Sequence, residues 1–219
     1  MLYKVGGINM SNCDIILKKL EEVYFDAKPE LNFNNPYELL VATILSAQCT
    51  DVRVNKVTNT LFVHYPDAYK LANADINDLM DEIHSCGCYA IKAKNLIKTA
   101  EILCKNYKGQ VPDSMDKLLE LPGVGRKTAN VVLSNAFGIA GIAVDTHVFR
   151  VSNRLGLADS DNVLETEKQL MCLIPKEKWG SAHHWLIYHG RRICFSRKPK
   201  CELCFLKEYC FYYQKQKGE

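Results

Sequence analysis

Apolar residues recur along most of the chain at intervals of three and four, the spacing that keeps them on one face of an α-helix. Few stretches alternate between apolar and polar residues, as half-buried strands do. The pattern predicts an all-α protein whose helices, of about 8 to 18 residues, are separated by short polar turns. The predicted helices run from Pro36 towards Cys49, from Asp51 towards Tyr65, and over residues 76–85, 91–107, 114–121, 126–137, 146–155, 163–173 and 181–193.

The first two of these helices begin with capping signals. Asn35 is an N-cap residue, Pro36 stands at the first helical position, and Glu38 is an acid three residues after the cap. Thr50 caps the next helix, and Pro66 stops it. Because the first helix is apolar almost throughout, we expect it to be buried.

The composition of the 219-residue chain, 47% hydrophobic, is enough to bury the core of one large domain or of two small ones. No apolar run approaches the roughly 20 residues of a membrane span, and residues 1–10 lack the apolar segment of a signal peptide. We therefore expect a cytoplasmic protein that does not bind membranes, beginning at either Met1 or Met10. The net charge of +3 permits a polyanionic partner without predicting one.

The ten cysteines fall into two groups, six scattered and four close to the end of the chain. Without an export signal, thiols and metal ligands are expected rather than disulfides. The four are spaced Cys-x6-Cys-x2-Cys-x5-Cys and so contain a single CxxC motif. Structural zinc sites usually combine two such closely spaced ligand pairs. The spacing therefore favours a 4Fe–4S cluster over zinc. The predicted ligands are Cys194, Cys201, Cys204 and Cys210.

A run of positive charge accompanies these cysteines. Residues 191–200 contain five basic side chains and no acid, and residues 195–200 form a compact loop between the first two predicted ligands. Such a loop is suited to contact with nucleic-acid phosphates, although an ordinary solvated charge run is the alternative. The basic residues are Arg191, Arg192, Arg197, Lys198 and Lys200.

A glycine-containing turn at residues 121–128, LPGVGRKT, separates two helical patterns and predicts a helix-hairpin-helix. Gly123 and Gly125 stand where a tight turn needs positive φ or close backbone approach. The turn and the helix start after it direct backbone N–H groups outward, where a phosphate can bind. A plain αα-turn with a glycine cap is the alternative.

Two residues are candidates for catalysis. Lys127 falls in the first turn of its helix beside Arg126, a setting that disfavours the ammonium form and favours a nucleophilic amine. A surface contact to phosphate is the simpler role. Asp145 ends an apolar run at a helix start, where it is an N-cap and, in addition, a carboxylate able to stabilise positive charge or move protons.

Together these features resemble the endonuclease III family of helix-hairpin-helix DNA glycosylase/AP lyases. The resemblance covers nearly the whole chain, through residues 45–48, 121–130, 144–150, 184–186 and 189–191 and the cysteine spacing. It implies a two-lobed all-α fold: a six-helix barrel lobe at residues 29–139 with the hairpin at 121–128, and an iron–sulfur helical lobe at 10–28 plus 140–219 with the cluster loop at 194–210. The resemblance also implies a monomer that binds damaged double-stranded DNA. Such a protein is expected to associate with the nucleoid.

The resemblance also implies roles for single residues. Lys127 becomes the Schiff-base nucleophile and Asp145 the catalytic carboxylate, in base excision followed by β-elimination. Gln48 enters the gap left by the flipped base, and Glu120 lies near the base pocket. Further DNA-binding residues are expected at Cys88, Gly123, Gly125, Arg126, His147, Arg197, Lys198 and Lys200.

One position departs from the family pattern. Cys88 stands where relatives usually place a leucine or phenylalanine wedge that enters the duplex. A small, soft wedge unstacks DNA less firmly, so either Tyr89 or Ile91 takes its place, or the lesion preference is altered. A thiol with no role in DNA binding is the other interpretation.

Three rival functions remain at this point. A monofunctional mismatch glycosylase of the same superfamily shares the hairpin and the cluster but usually lacks a lysine at the position of Lys127. A non-catalytic DNA-binding module would use the hairpin and the basic loop only to hold DNA. An iron–sulfur electron carrier would not need the hairpin.

Overall fold

The computed structural model of the protein describes residues 10–217, within which twelve α-helices and three 3₁₀ turns occur and no strand is found. The predicted all-α class is confirmed. The 3₁₀ turns are Lys176–Lys178, Cys201–Leu203 and Lys207–Tyr209. The helices are α1 (Met10–Val23), α2 (Pro36–Leu45), α3 (Asp51–His64), α4 (Ala68–Ala72), α5 (Ile76–Ile83), α6 (Tyr89–Tyr107), α7 (Met115–Leu119), α8 (Arg126–Ala136), α9 (Thr146–Leu155), α10 (Val163–Leu173), α11 (Trp179–Arg192) and α12 (Phe211–Lys217).

The chain divides into two compact units. The middle unit is Pro29–Ile139 and contains α2 to α8, of which α4 and α7 are only five residues long. The terminal unit joins the start of the chain, up to Lys28, to Ala140–Glu219. The choice between Met1 and Met10 as first residue concerns a segment that precedes the described residues. No helix within residues 10–217 is long and apolar enough to cross a membrane.

Helix α2 forms the centre of the core of the middle unit, as its apolar sequence predicts. Its start is capped by Asn35, whose Oδ1 accepts a hydrogen bond from the amide of Glu38 at 2.9 Å. In return, Glu38 Oε2 accepts from the amide of Asn34 at 2.7 Å, one residue before the cap. The capping signal is confirmed, and Leu39, Leu40 and further apolar residues of α2 are buried.

The predicted end of α2 at Cys49 is wrong. The helix ends at Leu45, and residues 46–49 form a turn in which Gln48 adopts a left-handed conformation with φ of 55°. The hydroxyl of Ser46 donates to the carbonyl of Thr43 at 2.8 Å, as side chains do at helix ends. The apolar pattern could not reveal this end, because no glycine or proline interrupts it.

The core of the terminal unit brings the start of the chain onto its second half. Buried side chains of α1, including Ile16 and Leu20, pack with those of α9 and α11. The hydroxyl of Tyr24 lies 3.1 Å from His189 Nδ1 and so ties the segment after α1 to α11. This packing fixes α9, whose start carries Asp145 and His147. It also fixes α11, which precedes the four predicted cysteine ligands.

Candidate functional site

The turn between α7 and α8 is the predicted helix-hairpin-helix. Leu121 and Val124 are buried, and the amide of Val124 donates to the carbonyl of Leu121 at 3.1 Å. A third helix anchors the turn, since the Thr99 hydroxyl of α6 donates to the carbonyl of Pro122 at 3.0 Å. The hairpin is therefore a packed element, with only its outer edge exposed.

The two glycines of the hairpin differ in backbone conformation and surroundings. Gly123 has a φ of 79°, and a Cβ there would lie 3.0 Å from Asn95 Nδ2. Gly125 has an ordinary extended backbone, φ −94° and ψ 176°, and a Cβ there would meet open space. Gly123 thus serves the turn itself, whereas neither the backbone conformation nor a neighbouring atom requires glycine at position 125.

The start of α8 is suited to an anion. Gly125 is its N-cap and offers no side-chain cap to the first-turn amides of the helix. Such amides, together with the helix dipole, attract phosphate. Arg126 and Lys127 are both exposed in this first turn. The structure therefore places an exposed primary amine in the helix turn that follows the uncapped Gly125.

Asp145 caps α9. Its Oδ1 accepts hydrogen bonds from the amides of His147 and Val148, both at 2.8 Å, so the N-cap interpretation is confirmed. Both bonds use the same oxygen, which leaves Oδ2 outside the cap. The half-buried carboxylate is therefore held in one orientation by its own helix.

The imidazole of His147 is part of a small polar network. Its Nδ1 lies 3.1 Å from Arg150 Nη2, whose guanidinium also donates to the carbonyls of Gly190 and Cys194. Burial lowers the pKa of His147, and Arg150 and Arg191 add to this effect against the opposing charge of Asp145. The lowered pKa and the contact with a cationic guanidinium both favour the neutral imidazole, against the hydrogen bond of the ring to the backbone of Gly190.

The four predicted cysteine ligands line one small pocket. Burial raises the pKa of Cys204 to about 11 and also raises the pKa of Cys201 and of Cys210, with neighbouring cysteines adding to each shift. Within residues 10–217, no three His, Cys, Asp or Glu side chains are close enough to bind a single metal ion. Four thiols that line one pocket are a donor set that fits an iron–sulfur cluster.

N–H donors face the sulfur atoms of this pocket. Arg154 Nη1 lies 3.5 Å from Cys194 Sγ, and His189 Nε2 lies 3.5 Å from Cys204 Sγ. Burial lowers the pKa of His189 to about 4, so the ring is neutral. Tyr24 Oη lies 3.1 Å from Nδ1, so a ring protonated on Nε2 accepts from the tyrosine and directs its N–H at sulfur. Donors of this kind offset the negative charge of thiolate ligands.

The basic loop at residues 195–200 is held from α9. Arg154 donates to the carbonyl of Phe195 at 2.7 Å and to that of Ser196 at 3.0 Å. Its guanidinium also lies 4.6 Å from the ring centre of Tyr212. The side chains of Arg197, Lys198 and Lys200 are left exposed. Sequence reasoning missed Arg154, although its spacing of four from Arg150 places both on one face of α9.

Comparison with known proteins decides the family. A family model described as "HhH-GPD superfamily base excision DNA repair protein" matches residues 41–176, and one described as "Iron-sulfur binding domain of endonuclease III" matches residues 194–210. The endonuclease III of Bacillus subtilis is 47% identical over 204 residues, 93% of each chain, and that of Synechocystis is 51% identical over 197 residues, 90% of this chain and 89% of the relative. The solved structure of a trapped endonuclease III–DNA covalent intermediate superposes with a TM-score of 0.91 at 45% identity, covering 96% of this chain and 99% of that one.

The chain belongs to the endonuclease III family.

Membership of the endonuclease III family makes the chain an enzyme of DNA base excision repair, with DNA N-glycosylase and AP lyase activity. The predicted cofactor is confirmed as well. The iron–sulfur binding domain of endonuclease III matches residues 194–210, the range bounded by the first and last of the four cysteines, and the chain therefore carries a 4Fe–4S cluster.

Gln48 and Cys88, the residues that the endonuclease III resemblance places inside the duplex, share an unusual backbone. Both are exposed and both adopt left-handed conformations, with φ of 55° and 51°. Beside Cys88, the side chains of Tyr89 and Ile91 are 42% and 64% exposed. Large apolar side chains are therefore available next to the small thiol. Cys88 has no side-chain cap bond to α6, which explains why the start of that helix at Tyr89 was predicted two residues late.

Glu120, predicted to lie near the base pocket, is the C-cap residue of α7 at the edge of the hairpin. Its side chain is exposed and accepts a hydrogen bond from Tyr107. Burial raises the pKa of Tyr107, and the charge of Glu120 and this bond add to the shift. The tyrosine is therefore a neutral donor that orients the carboxylate.

Proposed function

We propose that the chain excises oxidised pyrimidines from double-stranded DNA and then cleaves the strand 3′ to the abasic site, with Lys127 as nucleophile. The observation that carries this assignment is the position of Lys127, exposed in the first turn of α8 directly after the hairpin. An amine beside a bound phosphate is suited to attack on the neighbouring sugar carbon.

The proposed reaction begins when Lys127 Nζ attacks C1′ of a damaged nucleotide that has been flipped out of the stack. The glycosidic bond breaks, the base leaves with a proton, and the opened sugar is held as a Schiff base. Loss of a C2′ proton then expels the 3′ phosphate oxygen, which breaks the strand. Water finally releases Lys127 from the sugar fragment.

Asp145 is proposed to stabilise positive charge on the sugar or to transfer protons during the reaction. Because two amides fix its Oδ1, the carboxylate keeps one orientation without a further partner. A fixed carboxylate stabilises the positive charge that develops on the sugar as the base departs, or transfers a proton between lysine and water. The helix cap thus supplies the orientation that the chemistry needs.

Two elements are proposed to bind DNA phosphates, the hairpin at 121–128 and the basic loop at 195–200. Cys194 and Cys201, as ligands of the cluster, would close the loop at both ends, and Arg154 donates hydrogen bonds to its first carbonyls. Gln48 and a residue at or beside Cys88 are proposed to fill the space left by the flipped base. The other proposed DNA-binding residues are Gly123, Gly125, Arg126, His147, Arg197, Lys198 and Lys200.

The two units are proposed to correspond to the two lobes that the family resemblance implies. The middle unit would be the six-helix barrel lobe with the hairpin, and the terminal unit the iron–sulfur lobe. Association with the nucleoid follows from the proposed DNA binding and stays a prediction.

A duplex with a single thymine glycol and an end label on the damaged strand tests the proposed function. The chain should break the labelled strand without alkali, because the lysine carries the reaction through β-elimination. A monofunctional glycosylase would give the break only after hot alkali. That second result would leave base excision in place and remove the lyase step.

The two glycines of the hairpin give a matched pair of substitutions. Gly123→Ala should lower the free energy of unfolding by about 1–2 kcal/mol, because alanine at positive φ is strained and its Cβ crowds Asn95. Gly125→Ala should leave folding nearly unchanged and weaken DNA binding, since its methyl group stands on the anion-binding surface. Denaturant unfolding and binding to abasic-site duplex measure the two effects. Equal DNA affinity for Gly125→Ala and the parent would remove the phosphate role of this glycine.

A further inference from the structure

Lys92 in α6 is a buried lysine whose ammonium group donates its hydrogen bonds to backbone carbonyl oxygens. Its side chain is 5% exposed, and Nζ donates to the carbonyl oxygens of Leu45 at 2.8 Å, Ala47 at 2.8 Å and Cys86 at 2.6 Å. An ammonium group has three N–H donors, so these three bonds use them all. Burying such a charge is costly, and this arrangement needs a reason beyond the filling of the core.

The three carbonyls belong to two different loops. Those of Leu45 and Ala47 lie at the end of α2, immediately before Gln48. The carbonyl of Cys86 lies two residues before Cys88, at the start of α6. The nitrogen of Lys92 therefore joins the Gln48 loop, residues 45–48, to the Cys88 loop, residues 86–88. A positive charge is also favourable at the carbonyl end of α2.

Both loops contain strained backbone at the exposed residue. Gln48 and Cys88 are non-glycine residues with positive φ. Gly87, which lies between Cys86 and Cys88, has a φ of 33°. Conformations of this kind persist only where the surrounding structure fixes them, and they occur often at functional sites. In the described part of the middle unit, the bonds of Lys92 supply such a constraint to both loops at once.

We propose that Lys92 is a positioning residue that holds the Gln48 loop and the Cys88 loop at a fixed separation, so that both enter the duplex together when a damaged base is flipped. The inference rests on the proposed function, which assigns these two loops to the inside of the duplex. Lys92 itself does not touch DNA in this account. Its effect is exerted through the backbone of the two loops.

The test compares two substrates that differ in their need for unstacking. Lys92→Met keeps the length of the side chain and removes all three donors. Single-turnover excision of thymine glycol from duplex DNA should fall by about 10- to 100-fold, because a displacement near 1 Å has effects of this size. Strand cleavage at an abasic site in single-stranded DNA, where no stack is opened, should change by less than about threefold. The matched control is Lys98→Met, an exposed lysine of the same helix, which should leave both rates at parent levels.

A double-mutant cycle distinguishes positioning from a general loss of stability. Gln48→Ala should slow duplex excision in the parent chain but add little to Lys92→Met, because the loop is already misplaced. Additive losses, or equal losses on duplex and single-stranded substrates, would overturn the proposal. Circular dichroism and thermal unfolding establish that the variants are folded.

A second variant keeps the proposal testable if Lys92→Met does not fold. Lys92→Arg retains the buried charge, but a planar guanidinium cannot present three donors around one nitrogen, so the selective loss on duplex substrate should persist. A parent-like ratio of the two rates in Lys92→Arg would then reject the proposal. Failure of the proposed function looks different, because the parent chain itself would then not cleave the single-stranded abasic substrate.

Discussion

Lys127→Gln is expected to abolish strand cleavage at abasic sites, with a loss of at least about 10³-fold, while the fold is retained. Glutamine has no amine and cannot form the Schiff base on which β-elimination depends. Because Lys127 is exposed, the free energy of unfolding should change by no more than about 0.5 kcal/mol. Cleavage of end-labelled abasic duplex at saturating enzyme measures the first effect, and denaturant unfolding measures the second.

The neighbouring Arg126 provides the comparison. Arg126→Gln removes an exposed charge from the same helix turn but keeps the amine of Lys127. It should weaken binding and reduce the salt dependence of affinity, while cleavage at saturating enzyme continues. If Lys127→Gln behaved in the same way, changing affinity alone, Lys127 would be a phosphate contact and not the nucleophile.

Asp145→Asn is expected to slow base excision by about 10²- to 10⁴-fold with little effect on stability. Asparagine caps helices about as well as aspartate, so its Oδ1 can still accept from the amides of His147 and Val148. What the variant loses is the negative charge. Single-turnover excision of thymine glycol and thermal unfolding separate these two roles.

Asp145→Ala completes the comparison, because it removes the cap together with the charge. It should lose as much activity as Asp145→Asn and, in addition, about 0.5–2 kcal/mol of unfolding free energy. Full activity in Asp145→Asn would reduce Asp145 to a structural cap. Loss of stability in both variants alike would show that the charge itself is needed for folding.

The helices with clear end signals are those that the sequence predicted best. The bounds of α9 are confirmed because Asp145 caps its start and Gly156, with φ of 78°, ends it. The bounds of α10 are confirmed as well, with Asn162 as its N-cap. Three helices were missed, namely α1, α4 and α12. Helix α4 has only five residues and α12 is mostly polar, so neither shows an apolar period. Helix α1 does place apolar residues at helical spacing, and the prediction overlooked it.

The candidate site was predictable only in part. The cysteine spacing was sufficient to indicate the cluster, since ligand chemistry depends on local sequence there. The nucleophilic role of Lys127 came from the family resemblance, because a hairpin alone justifies no more than a phosphate contact. The role of Lys92 was not predictable, because its partners are backbone carbonyls up to 47 residues away whose positions depend on the folded loops.

Reduction with borohydride tests the central claim most directly. The chain is mixed with abasic-site or thymine-glycol duplex in the presence of borohydride, and the products are separated under denaturing conditions and digested for peptide mapping. We predict a covalent protein–DNA adduct on the peptide that contains Lys127, absent in Lys127→Gln and present in Arg126→Gln. No adduct with the parent chain, or an adduct at a different amine, would contradict the account.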